Sequence, residues 1–378
     1  MKICIVTSNV RKGDGQARVN YEIVKKALQR GHRVTLIVRQ VASEIEMHEL
    51  VECICFPLKN VPTELMRGVV FTRNVDRWLQ KHEHEFDIIV SCGAVTSRKT
   101  DINVVHFVHS AWLQSPFHTL RMNRNLYGAY QWMYSALNAY WEKLAFQKTK
   151  MLIAVSKTIE KELIGIGIVE QKIQVITNGV DVSEFTTNEN LQNRHQHGLP
   201  ENVGLALFVG EFRTNRKNLD TVLKALVNVP SLHLAVVGNI KKSPYPLLAE
   251  QLGLASRVHF LGYRSDVAKI MQAVDFFVFP SRYEPFGMVV SEAMASGLPV
   301  ITTAVSGVAS ILTSEAGIVL SDSENVEGLS VALVRLASDP KLRMQMGKAA
   351  RAISEQHSWT SKAEDYINLF ERLALEKV

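Results

Sequence analysis

Cysteine is scarce: 378 residues carry four, Cys4, Cys53, Cys55 and Cys92. All fall in the first quarter of the chain and none has zinc or redox spacing, which excludes a disulfide scaffold and points to thiols kept reduced. Long apolar runs are lacking as well. No stretch of eighteen apolar residues occurs, and the opening MKICIVTSNV enters a core strand directly, so the sequence reads as neither secreted nor membrane-spanning and is expected in the cytosol. Nor is there an excess of one charge. Lys+Arg number 43 and Asp+Glu 37, a net +6 that suits anionic substrates or a phospholipid surface without indicating nucleic acid. With 47% hydrophobic and 21% charged residues the chain is globular, and its length suits two domains of roughly 180 residues better than one core.

What is present is a repeating pattern. KICIVTS (2–8), RVTLIVR (33–39), FDIIVSC (86–92), NVVHFVH (103–109) and MLIAVS (151–156) are short β-branched runs separated by segments of helical spacing such as VNYEIVKKALQRG. A second series follows position 200: GLALFVG (204–210), HLAVVG (233–238), RVHFLG (257–262), FFVFPS (276–281) and LPVITT (298–303). Continuous apolar strands alternating with helices predict parallel sheets covered on both faces. The polar stretch TTNENLQNRHQHGLPEN (186–202) is the expected linker between domains 1–185 and 203–356. The fold expected is α/β, two doubly wound Rossmann-like domains with ligand at the carboxyl ends of the strands, in a central cleft.

Three stretches carry candidate chemistry. RKGDGQARV (11–19) offers only part of a dinucleotide fingerprint, because Arg18 stands at the third glycine's place and Gly13 comes late after the strand; a loop entering a helix N-terminus still suits an anion. VGEFRTNRKNLD (209–220) sends Arg213 and Lys217 from a strand end toward a helix start, where both could hold phosphate oxygens. SRYEPFGMVVSEAMASG (281–297) places Glu284 before a helix, Gly287 at its mouth and Glu292 about one turn inside. Carboxylates are poor partners for phosphate but accept hydrogen bonds from sugar hydroxyls. Basic groups, helix N-termini and glutamates together suit a nucleoside diphosphate sugar, although glutamates at a helix N-terminus are also favoured by its dipole alone.

These stretches, with RGHRVTL (30–36), AVSKTIEKEL (154–163), ITNGVDVSEF (176–185) and the closing SWTSKAEDY, resemble the family 4 glycosyltransferases, retaining enzymes of the GT-B fold that use nucleotide sugars. The resemblance implies that Arg213 and Lys217 hold the donor diphosphate. Glu284 and the backbone of Phe286, Gly287 and Met288 would contact the transferred sugar, with Val289 on the phosphates. Glu292 would take the ribose, the backbone at Tyr263 the base, and His109 the donor sugar, with His106 as its rival. In the first loop the family's paired glycines are replaced by Asp14-Gly15, leaving Gly15 as the expected donor contact beside an acidic side chain. The resemblance also implies that 357–378 is a helix crossing back onto the first domain.

No D-x-D occurs, so positive side chains and helix dipoles must stabilise the leaving group without a metal, and no cofactor is expected beyond the sugar nucleotide, a UDP-sugar by first reading. The acceptor is expected to be a hydroxyl of a glycan, glycolipid or small molecule. In 117–150, Tyr127, Tyr130, Tyr134, Leu137 and Trp141 recur at the spacing of a core-facing stripe, with Arg121, Arg124, Lys143, Lys148 and Lys150 among them; packing is the first reading, and acceptor or anionic-membrane contact the second. Two other classes stay open: a non-catalytic sugar-nucleotide or polysaccharide-binding protein, and an NADP-dependent oxidoreductase using the first loop and Arg39.

Overall fold

The computed structural model describes residues 1–13, 15–58, 60–122, 124–187, 194–241 and 243–377. The chain divides into two units, Met1–Gly179 with Trp359–Val378, and Val180–Ser358. The first division falls ahead of 186–202, part of which (188–193) lies outside the described residues. The end of that stretch belongs to the second unit. Arg194 is buried there, donating to the carbonyls of Ala273 and Val203 and pairing with Asp275 at 3.0 Å.

In the first unit the elements run β1 (Lys2–Val6), α1 (Gly15–Gln29), β2 (Arg33–Val38), β3 (Val51–Cys55), α2 (Glu64–His82), β4 (Ile88–Ser91), β5 (Ile102–Val105), α3 (His109–Gln114), α4 (Leu126–Lys148), β6 (Met151–Ala154), α5 (Lys157–Gly165) and β7 (Ile173–Val175). The sheet order is β3-β2-β1-β4-β5-β6-β7, parallel throughout. The central strands are solidly β-branched and buried, because helices cover both faces. Helix starts are set by side-chain caps. Thr63 accepts from the Met66 N–H, Asn125 from that of Gly128 and Ser156 from that of Ile159.

The second unit repeats the plan with β8 (Gly204–Val209), α6 (Leu219–Val227), β9 (Leu232–Val237), α7 (Tyr245–Gln251), β10 (Val258–Gly262), β11 (Phe276–Phe279), α8 (Met288–Ala295), β12 (Val300–Thr303), β13 (Gly317–Leu320), α9 (Val326–Ser338) and α10 (Pro340–Gln356). Its order, β10-β9-β8-β11-β12-β13, is again parallel. Phe208, Phe276, Phe277 and Phe279 fill its core. The chain then returns to the first unit as α11 (Trp359–Leu375), whose buried Tyr366, Ile367 and Phe370 complete the core on which α1 also packs.

In each unit the sheet grows to one side from its first strand and then to the other, so a crevice opens beyond the carboxyl ends at that reversal. In the second unit it lies between β8 and β11, and the backbones that come unusually close beside it are those leaving β8 and β9. A Cβ on Gly238, just past β9, would stand 2.0 Å from the Gly210 carbonyl oxygen, so no other residue fits there.

Candidate active site

Two loops meet over the β8/β11 reversal. The first leaves β8 through Gly210 and ends in a tight turn, Asn215–Lys217. The second leaves β11 at Pro280 and enters α8 at Gly287. They are fastened by buried groups. Asn218 donates to the Pro280 carbonyl at 2.8 Å, the Arg282 N–H donates to the Arg216 carbonyl at 2.9 Å, and the Arg282 guanidinium reaches the Asn215 carbonyl and the carboxylates of Asp220 and Glu324. Arg282 is thus a positioning residue that the sequence reading passed over; its mark in the sequence is an arginine two places before Glu284.

The clamp brings Lys217 and Glu284 into a direct ion pair between Nζ and Oε2, with both side chains largely shielded from solvent. The ammonium also stands 5.0 Å from the centre of the Phe279 ring. Burial lowers the proton affinity of Lys217, against the pull of Glu284. Burial alone would raise that of Glu284, but the charges of Lys217 and Arg216 outweigh it and hold the carboxyl below its usual range. Both groups are charged, because a neutral Lys217 would leave a buried carboxylate without its partner.

The backbone around Glu284 is equally fixed. Its carbonyl accepts from the Gly307 N–H at 2.9 Å and that of Phe286 from the Val308 N–H at 2.7 Å. Gly287 has φ +100°, and a Cβ there would lie 3.3 Å from the Glu284 side chain, so glycine both permits the turn and leaves Glu284 its place. The helix that follows begins at Met288, and its first N–H groups, on Met288 and Val289, have no partner within the helix. Glu292 lies one turn in and half-buried. Arg213 is exposed, and Tyr263, just past β10, is 80% exposed.

In the first unit His109 begins α3. Its Nδ1 is 2.5 Å from Glu142 Oε1, and its backbone N–H donates to Glu142 Oε2 at 2.9 Å. Glu142 is 4% exposed, a burial that carboxylates reach only when paired. Both residues line a cavity of about 200 Å³ with His106, Phe107 and Tyr134. With Nδ1 committed to Glu142, Nε2 is the ring nitrogen left for a ligand. Glu142 was also missed; the signal was a lone carboxylate within an aromatic helical stretch, YQWMYSALNAYWEKL. In the first loop Gly15 begins α1 and is exposed, Arg18 pairs with Glu22 at 2.7 Å, and Asp14 lies outside the described residues.

One expectation is corrected here. The buried face of α4 is Gly128, Ser135, Glu142, Ala145 and Phe146, while Tyr127, Tyr130, Tyr134, Leu137 and Trp141 are half-buried or exposed. Helical spacing identified a stripe, but the small and charged residues pack inward because the core side of this helix holds His109 and closely packed neighbours.

Two doubly wound units of parallel sheet are the architecture of the GT-B glycosyltransferases. The model for glycosyltransferase family 4 matches residues 13–184 and that for glycosyl transferases group 1 matches 189–353. The chain belongs to the family 4 glycosyltransferases. It is similar to the lipopolysaccharide glucosyltransferase WaaG of Escherichia coli, 32% identical over 245 residues, 61% of this chain and 65% of that one. An uncharacterized glycosyltransferase of Methanocaldococcus jannaschii is 28% identical over 300 residues, 76% of each chain. By fold the chain matches the crystal structure of a WaaG (TM-score 0.76, 23% identity, 97% and 99% of the two chains) and Anabaena HepE in complex with UDP-glucose (TM-score 0.71, 21% identity, 98% and 100%). The oxidoreductase alternative falls with this membership. Arg39, its proposed 2′-phosphate ligand, instead reaches Glu64 at 3.1 Å.

Proposed function

We propose that this glycosyltransferase moves a hexose or related sugar from a nucleoside diphosphate sugar, a UDP-sugar first, to a hydroxyl of a glycan or glycolipid, with retention and without a metal ion. The observation that carries the reading is the shielded Lys217–Glu284 pair at the β8/β11 reversal. It sets a cation suited to phosphate beside a carboxylate suited to sugar hydroxyls, at the mouth of a helix whose first N–H groups face outward. The names of WaaG and of the HepE complex support a UDP-linked hexose.

In this reading Arg213, Lys217 and the N–H groups of Met288 and Val289 hold the diphosphate. Glu284 and the backbone of Phe286 and Gly287 hold the sugar, Glu292 the ribose and the backbone at Tyr263 the base. The bond from the anomeric carbon to the diphosphate oxygen breaks as the acceptor oxygen bonds to the same face. The acceptor's proton passes to the departing diphosphate. Positive charge on the sugar grows through an oxocarbenium-like state, and the negative charge on the leaving group meets Arg213 and Lys217 already in place. In the first unit His109, oriented by Glu142, turns Nε2 to the incoming substrate. The exposed Leu126 and Trp132 beside Arg121 and Arg124 suit peripheral contact with an anionic membrane.

Calorimetric titration with UDP, in the presence and absence of EDTA, tests the assignment. Glu292→Ala should weaken UDP roughly ten- to a hundredfold, as the loss of hydrogen bonds to a charged acceptor does, whereas Glu284→Ala should leave UDP nearly untouched and lower turnover. Equal weakening by the two substitutions sinks the division of roles. Loss of activity in EDTA, restored by magnesium or manganese, sinks the metal-free mechanism.

A further inference from the structure

Helix α2 contains a glycine in its first half, Gly68, with no neighbour where its side chain would be: a Cβ there would meet no atom within 4 Å. Glycine in a helix interior is destabilising relative to alanine, and no turn or close contact requires it at this position. The space beside it is a groove of about 380 Å³ between α2 and α4, lined mainly by Leu65, Val69, Trp141, Leu144 and Ala145. Of the charged residues at its rim, Arg73 stands beside three that are paired within the protein, and Glu64 is held by Arg39 and Arg67. Asp76 accepts from the Thr96 and Ser97 hydroxyls, and Lys148 donates to the Ser97 carbonyl. The floor therefore offers apolar surface and little polar chemistry. Val69 and Leu144 are 47% and 40% exposed, an apolar lining left open among the described residues. The groove is continuous with the His109 cavity, since Gly68, Thr72, Ala94, Tyr134 and Asn138 line both.

We infer that this groove binds the apolar part of the acceptor. The acceptor is amphipathic: its hydroxyl-bearing end enters the His109 cavity, and an alkyl or aryl portion lies along α2 and α4 over the bare backbone of Gly68. The inference rests on the glycosyltransferase reading for the acceptor's hydroxyl, and on the groove alone for its hydrocarbon. The missing side chain at Gly68 leaves the passage open between cavity and groove, which accounts for glycine where alanine would make a better helix.

The probes are octyl and methyl β-glucoside, which differ only in the hydrocarbon, titrated calorimetrically below the micellar range. Wild-type protein should bind the octyl glucoside at least about tenfold more tightly, the gain from burying two or more methylenes. Gly68→Leu, which fills empty space without meeting protein atoms, should abolish that preference and leave UDP affinity unchanged. Val69→Asp, at an exposed position, should do the same by placing a charge in the groove. Equal binding of the two glucosides by wild type, or a preference that survives both substitutions, overturns the proposal. So does the pattern in which the glucosides bind equally and Gly68→Leu instead abolishes binding to phosphatidylglycerol vesicles, which would make the groove a membrane contact. Failure of wild-type protein to bind UDP would count against the glycosyltransferase assignment of the second unit and leave the octyl preference standing.

Discussion

Lys217 and Glu284 depend on each other for their charge. Removing the ammonium by Lys217→Ala leaves a shielded carboxylate without its ion-pair partner, and breaking such a pair costs about 3–5 kcal/mol. Adding Glu284→Gln removes the stranded charge, so the double variant should recover a large part of that stability although neither protein transfers sugar. Urea unfolding of the two proteins makes the comparison, and a double variant no more stable than Lys217→Ala would show that the pair is not shielded as described. Both residues were legible in the sequence because they follow strand ends at fixed distances. Arg282 and Glu142 were not. Each acts by a hydrogen-bond partner far away in the chain, Asp220 and Glu324 for one and His109 for the other, and no local pattern encodes a partner 33 to 62 residues distant.

Among the elements, the strands that went unread share a position. β3, β7 and β13 all lie at an edge of their sheet. Their burial is incomplete, and VECIC even carries Glu52 in mid-strand, so they lack the continuous apolar run that marked the central strands. For 117–150 it was the packing alternative that failed, for the converse reason, since an aromatic stripe at helical spacing marks a face without saying whether protein covers it. The closing helix α11 makes a sharper case. It places Tyr366, Ile367, Leu369, Phe370 and Leu373 in the core of the first unit and pairs its Glu364 and Glu371 with Arg30. Truncating a single buried aromatic to alanine typically costs about 3–5 kcal/mol, and two would consume most of the 5–15 kcal/mol that holds a domain folded. A chain ending at Gln356 should therefore have an unfolded first unit, checked by loss of protection in amide exchange across β1 and β4. Wild-type protection of those strands in the shortened chain would show that α11 is dispensable.

At the scale of the molecule, all four thiols belong to one unit, and this gives the two units different responses to alkali. Burial raises Cys92 from 9.0 to about 12 and Cys53 to about 11, and drives Cys4 up further. A thiol whose folded pKa is raised contributes stability that is intact below about pH 9 and lost as pH climbs toward the folded value, because the unfolded chain ionises first. Between about pH 9 and 11 the first unit should thus weaken by about 1.4 kcal/mol per pH unit for Cys92 alone, and Cys92→Ala should flatten that slope. Identical slopes in the two proteins would remove Cys92 from the account.

The split of the first unit into Met1–Gly179 and Trp359–Val378 also has a consequence in time. A ribosome adding about 5–20 residues per second needs roughly 9–36 s to pass from Gly179 to Trp359. For that interval the nascent first unit waits with the site of α11 uncovered, while the second unit, a single continuous segment, can finish folding before it. The order of completion is therefore the reverse of the order of synthesis. The unpaired apolar surface of those seconds makes the nascent chain a natural client for chaperones, and makes the arrival of α11 the event that completes the first unit.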